Sequence, residues 1–182
     1  MPIVPDTKDW TWVLGRACQE CGYDADAVDL DHLPERIRLN AAAWAGVLAD
    51  RSAVRDRPDD HTWSPLEYAC HVRDVHTIFD ERVVLMIDSD DPAFPNWDQD
   101  TTAIDSAYAD QDPIEVAEGL RNAAAQVSGR YGAIKGDTWR RTGRRSDGAV
   151  FTVASLARYH LHDVEHHLHD VQHGDLDPAS GS

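Results

Sequence analysis

Four segments of roughly 20 residues, each with helical spacing of apolar side chains, restrict this chain more than any other feature. Three of them also carry recognisable starts. In Trp63-Ser64-Pro65-Leu66-Glu67, a serine stands at the N-cap, a proline at N1 and a glutamate at N3. That is a capping box, in which the serine oxygen and the glutamate carboxylate satisfy each other's open backbone N–H groups. It predicts a helix over 65–87. Asp112-Pro113-Ile114-Glu115 repeats the signature and predicts a helix over 113–134. Thr152 can cap a last helix over 153–173, where Gly174 offers a stop. A first helix is predicted over 33–51, with Pro34 near its start and the run Asn40-Ala41-Ala42-Ala43-Trp44-Ala45 in its middle. Residues 9–21 are expected to form a short extra helix. The connection over 88–110 is rich in Asp, Pro and aromatics, and that over 136–149 in Gly, Arg and Asp. No period-two alternation runs longer than a few residues. The expected fold is therefore all-α: a four-helix bundle with a long crossover between its second and third helices.

Composition narrows the function classes. The 182 residues are 42% hydrophobic and 27% charged, which suits one globular domain with flexible ends at 1–8 and 175–182. Asp and Glu outnumber Lys and Arg 33 to 17, for a formal charge of −16. Such a field repels nucleic-acid phosphates and anionic lipid, so neither is an expected partner. A small-molecule substrate is expected instead, handled by a monomer or a homodimer. The first residues lack the basic and apolar regions of a secretory signal, and no apolar run approaches a membrane span. Three cysteines fit a reducing cytoplasm better than a disulfide framework.

Ten histidines are present, and six of them fall between His160 and His173. A lone histidine on a helix is usually solvated or a satisfied core residue, so register has to choose among them. Tyr68, His71, Val75, Ile78 and Leu85 recur at helical steps, which puts His71 on an inward stripe. In the last helix, Val153, Ala157, Leu161, Val164, Leu168 and Val171 define the apolar face. His162, His166, His169 and His173 project from the other side and are expected to face solvent. His160, Asp163 and His167 lie on one flank of the apolar face. Asp163 and His167 are spaced i, i+4, so both can reach one ion. Register thus assembles His71, Asp163 and His167, with His160 close by. A rival site uses His162 and His166, also i, i+4. Two imidazoles and one carboxylate suit Zn, Ni, Fe or Mn as a single divalent ion. Three protein ligands leave coordination positions open, which points to chemistry or ligand capture.

These residues carry a family resemblance. The run from Trp63 to His71 resembles the second-helix signature of the DinB-like superfamily, and His162-Asp-Val-Glu-His-His-Leu-His-Asp-Val171 resembles its fourth-helix motif. The superfamily includes bacillithiol- and mycothiol-dependent transferases and a mycothiol-dependent maleylpyruvate isomerase. The resemblance implies one histidine from the second helix and two ligands spaced i, i+4 on the fourth, here His71, Asp163 and His167. It further implies an Asp or Gln shortly after the last ligand, a frame that Asp170 fits. Many members have His at the place of Asp163, and the isomerases have Glu. The implied activity is metal-dependent thiol S-transfer or thiol-dependent isomerisation, with mycothiol or another low-molecular-weight thiol as cosubstrate. The alternatives are a metal-dependent hydrolase, which would need a general base near the site, and a non-catalytic metal or small-ligand binding protein. Asp74, three residues from His71, is within reach for a base, though a surface role suits it better.

Secondary features are fewer. Cys18 and Cys21 form a C-x-x-C, which alone is half a zinc knuckle or a redox pair. Cys70 adjoins His71 but projects about 100° away from it on the helix. Trp97, in the long connection, could close a pocket or plug the core. Arg144, Arg145 and Asp147 could meet a substrate carboxylate or form a solvated loop with local ion pairs.

Overall fold

The computed structural model describes residues 10–50 and 53–174. The expected flexible ends, 1–8 and 175–182, lie outside the described residues. Five α-helices dominate: α1 (Leu33–Ala49), α2 (Pro65–Asp88), α3 (Gln99–Asp105), α4 (Pro113–Ala133) and α5 (Val153–His173). The four long ones form the bundle that the periodicity predicts. The capping box at Ser64 and Glu67 is present, and the side chains of Asp112 and Thr152 cap α4 and α5. Glu67 is buried and also pairs with Arg57, which ties the start of α2 to the preceding loop.

α1 and α2 face each other across the bundle, and α4 and α5 fill the corners between them. Trp44, Leu66, Leu120, Tyr131, Leu156 and Leu161 are fully buried where these helices meet. The arrangement makes α2 and α5 neighbours. Two contacts from α1 then set the rotation of α5. Asn40 Nδ2 donates to Val164 O at 2.8 Å, and Arg36 makes a two-pronged pair with Glu165 at 2.9 and 2.7 Å. With residues 164 and 165 turned to α1, residues 163 and 167 are turned toward α2.

Three findings differ from the sequence expectations. Residues 10–21 hold only a 3-10 turn, Trp10–Leu14, followed by irregular chain that lies along α5. The connections also contribute a small sheet, in which β2 (Thr142–Arg145) pairs parallel with β1 (Ala93–Phe94) and antiparallel with β3 (Val150–Thr152). Strands this short show too little alternation to be read from sequence. Gly143 sits where a Cβ would stand 2.7 Å from Met86 and 2.9 Å from Phe94, so β2 lies directly against the end of α2. Finally, the crossover is not structureless, since it includes α3 and a 3-10 turn, Tyr108–Asp110. Among the described residues, no helix is long and apolar enough to cross a membrane.

Candidate metal centre

His71, Asp163 and His167 come together where α2 faces α5. One donor atom from each lies within 4.8 Å of the others. The atoms that converge can be named: His71 Nε2 is 3.4 Å and His167 Nε2 is 3.7 Å from the same oxygen, Asp163 Oδ1. Donors bonded tetrahedrally to one zinc ion at 2.0–2.2 Å stand about 3.3–3.6 Å apart. The 3.4 Å spacing falls in that range and the 3.7 Å spacing lies just above it.

The surroundings show why such a cluster asks for a cation. His71 is fully buried, and neither of its ring nitrogens has an aligned hydrogen-bond partner. Asp163 Oδ1 is likewise unsatisfied. Buried polar atoms left in this way cost about 1–3 kcal/mol each, and a shared cation would satisfy two of them, His71 Nε2 and Asp163 Oδ1. Burial lowers the His71 pKa, which keeps the ring neutral and able to donate a lone pair. Burial alone would raise the Asp163 carboxyl, but His71, His167 and His160 around it hold it well below the usual range. His71 is therefore a neutral imidazole and Asp163 a carboxylate, the states in which each can bind a divalent ion.

Aromatic rings wall the cluster. Trp97 stacks on His71 with ring centres 5.2 Å apart and planes 9° from parallel, anchored by its Nε1–H to Thr102 Oγ1 at 2.7 Å. Trp63 covers His71 from another side at 5.2 Å, and Tyr68 packs on His167 at 5.1 Å. A cleft of ≈ 530 Å³ opens alongside, with Trp63, Tyr68 and Asp170 on its wall. Those three residues link the cleft to the cluster. Asp170 Oδ2 also lies 3.4 Å from His167 Nδ1, the nitrogen that faces away from Asp163.

The other sequence candidates fall elsewhere. His160 is buried one layer deeper, with Nε2 2.9 Å from His76 Nδ1 and Nδ1 3.1 Å from the Tyr131 hydroxyl. The solvent-facing stripe is corrected in half of its members. His162 and His166 are buried at 2% and 6% exposure beneath the N-terminal segment, whereas His173 is exposed and His169 half-buried. Leu168 and Val171, assigned to the apolar face, are only half-buried. Arg144 pairs with Asp91, and Arg145 is buried against Phe151 and Tyr159 with its guanidinium on Asp147. Both belong to the sheet at the far end of the bundle. Asp74 accepts from Arg73 Nε and the Tyr108 hydroxyl. Cys70 Sγ faces Tyr108 O and Gln111 rather than the cluster.

The sequence places Tyr68 on the inward stripe with His71, but it gave neither Tyr68 nor Trp63 a place at the site. The signal was available: Trp63 immediately precedes the Ser64 cap, and Tyr68 stands one turn before His71 on α2.

The comparisons agree with this architecture. YfiT from Bacillus subtilis, described as a probable metal-dependent hydrolase with an unusual four-helix bundle topology, superposes with a TM-score of 0.70. The match spans 82% of this chain and 91% of YfiT at 14% sequence identity, so it speaks to the fold. No curated protein sequence matches the chain significantly. The sequence profile of the DinB superfamily matches residues 35–171, a span that runs from the first turn of α1 to the last turn of α5 and holds the whole cluster, and the chain belongs to that superfamily.

Proposed function

We propose that this protein is a divalent-metal-dependent enzyme that activates a low-molecular-weight thiol, for S-transfer to an electrophile or for thiol-assisted isomerisation. The observation that carries this reading is the open three-donor shell of His71, Asp163 and His167. These donors bring one negative charge, so a divalent ion among them keeps a net positive charge and favours an anionic fourth ligand. A cation there supplies Lewis acidity that lowers the pKa of a thiol in contact with it.

The chain's own residues would do the rest. His71 Nε2, His167 Nε2 and Asp163 Oδ1 hold the ion. Asp170 Oδ2, 3.4 Å from His167 Nδ1, would accept from that nitrogen's N–H and so fix the tautomer and the ring angle. Trp63 and Trp97 keep bulk water off His71. The adjoining cleft has the size of a small-ligand site and gives a released proton a path to solvent. Mycothiol is the leading candidate thiol, by family resemblance.

A second reading is metal-dependent hydrolysis, favoured by the description of YfiT. It requires a base to take a proton from water. Asp74, the carboxylate three residues from His71 on α2, is already engaged by Arg73 and Tyr108, which weighs for the thiol reading. The test is a conjugation assay with fully metallated protein, bacterial thiols and model electrophiles. A rate that disappears on chelation and returns with metal is expected. A rate no higher than background would overturn the thiol reading, and thiol-independent ester or amide cleavage would establish the hydrolase.

A further inference from the structure

We propose that Cys18, Cys21, His162 and His166 form a second metal site, closed and tetrahedral, built for Zn²⁺. The four residues each offer a donor atom, and these atoms all lie within 4.8 Å of one another. The pairs come from distant parts of the chain, as C-x-x-C in the N-terminal segment and H-x-x-x-H on α5. Those are the spacings by which two cysteines and two histidines grip one zinc ion in structural sites.

The local geometry supports a tetrahedral ion. Cys18 Sγ stands 3.8 Å from His166 Nδ1. Zinc bonds of 2.3 Å to sulfur and about 2.05 Å to nitrogen put such a pair about 3.6 Å apart. The Cys18 to Tyr23 stretch is a tight turn. Gly22 N–H donates to Cys18 O at 2.9 Å, Cys18 N–H donates to Tyr23 O at 2.7 Å, and Gly22 takes φ +75°. A side chain at residue 22 would strain that turn, which brings both thiols to one side, facing α5.

Both histidines are buried, and the packing around His162 leaves it short of a partner. His162 is 2% exposed, and its Nε2 has no hydrogen-bond partner. An imidazole beneath Trp10 and the edge of Tyr23 would otherwise be a polar group placed in the core at a cost. His166 has its other nitrogen, Nε2, 3.4 Å from Glu20 and 3.6 Å from Asp170. A carboxylate behind the ring is the usual support for a ligating histidine.

Charge and bonding also balance. On binding, Cys18 and Cys21 lose their thiol protons to solvent and the imidazoles enter neutral, so a divalent ion is fully neutralised. Both cysteines are free in the structure. A Cys18–Cys21 disulfide would leave the buried His162 Nε2 without a partner. Four protein donors leave no open position, so the role is structural.

The site has a consequence for the first cluster. The ligand pairs His162/His166 and Asp163/His167 are offset by one residue, about 100° around α5. Metal at the closed site fastens the N-terminal segment to one side of α5 and holds the other side toward His71. Asp170 stands behind a histidine of each pair.

The experiment uses the full-length reduced protein, stripped of metal and titrated with Co²⁺. Two equivalents are expected, one of them with a thiolate-to-cobalt charge-transfer band. A Cys18→Ser/Cys21→Ser variant should bind one equivalent and lack the band, whereas Asp163→Ala should lose one equivalent and keep it. Should the double variant fail to fold, the unaltered chain still decides. Metal should slow alkylation of Cys18 and Cys21 at least about tenfold while Cys70 is unaffected, because a thiolate held by metal is a poorer nucleophile. A cobalt protein with no thiolate band, or alkylation indifferent to metal, would overturn the site. The open cluster has no sulfur donor, so the band and the thiol-conjugation assay fail independently.

Discussion

Asp170 Oδ2 lies 3.4 Å from His167 Nδ1, on the side of the ring opposite Asp163. The carboxylate is thus placed to accept from His167 Nδ1–H when Nε2 binds a metal, which would direct the Nε2 lone pair toward the cluster. Support of this kind commonly changes metal affinity by about 10–100-fold. Asp170→Ala should therefore weaken metal binding by that factor with little effect on folding, since the side chain is 31% exposed. Competition titration with a chelating dye measures it. Unchanged affinity would mean that the ring is positioned by packing alone.

His71 gives a prediction about stability. A ligand that binds only the folded state adds about 2.7 kcal/mol at a free concentration 100 times its Kd. Metal at that level should raise the melting temperature of the natural protein. In His71→Leu, the part of this rise due to the open cluster should vanish. Without metal, the variant should fall no further than an ordinary core change, because an unpartnered buried imidazole has been removed. Calorimetry with and without metal separates the two effects.

The pair beneath the cluster predicts acid sensitivity. Burial lowers the His76 pKa from 6.5 to about 4, and it lowers His160 in the same direction. Between those values the unfolded chain holds more protons than the folded one, so stability falls as pH drops. The His76 contribution is intact above pH 6.5, is lost as the pH falls toward 4, and amounts to about 3 kcal/mol in all. Urea midpoints measured from pH 7 to 4 should fall accordingly, and His76→Gln should flatten the slope. Equal slopes would show that other groups govern acid unfolding.

Gly143 separates fold from site. A Cβ there would press on Met86 and Phe94 at under 3.0 Å. Overpacking of this kind costs about 1–3 kcal/mol. Gly143→Ala should lose that much in urea unfolding and keep its metal affinity, since β2 lies at the end of the bundle away from His71. A parallel loss of affinity would indicate that the sheet and the cluster are coupled.

The legibility of the sequence differs from element to element. The caps at Ser64, Asp112 and Thr152 announce their helices because their hydrogen bonds are local. Register was enough to bring His71 together with Asp163 and His167, since α2 and α5 expose one stripe each to the other. It failed for His162 and His166. A helical wheel expects only helices as neighbours, and the cover over these two is Trp10, Tyr23 and Cys18, from a segment without periodicity. The signal that could have found them was the C-x-x-C and H-x-x-x-H read together across the chain. Arg144 and Arg145 were opaque for a similar reason. The partner of Arg144, Asp91, lies 53 residues away and meets it only through the sheet.

An anomalous-scattering map from crystals of the metal-loaded protein tests the open cluster most directly. It should show an ion bound by His71 Nε2, Asp163 Oδ1 and His167 Nε2, with Asp170 on His167 Nδ1 and no fourth protein ligand. No ion among those three residues, with Asp163 turned away from His71 and metal only at His162 and His166, would contradict it.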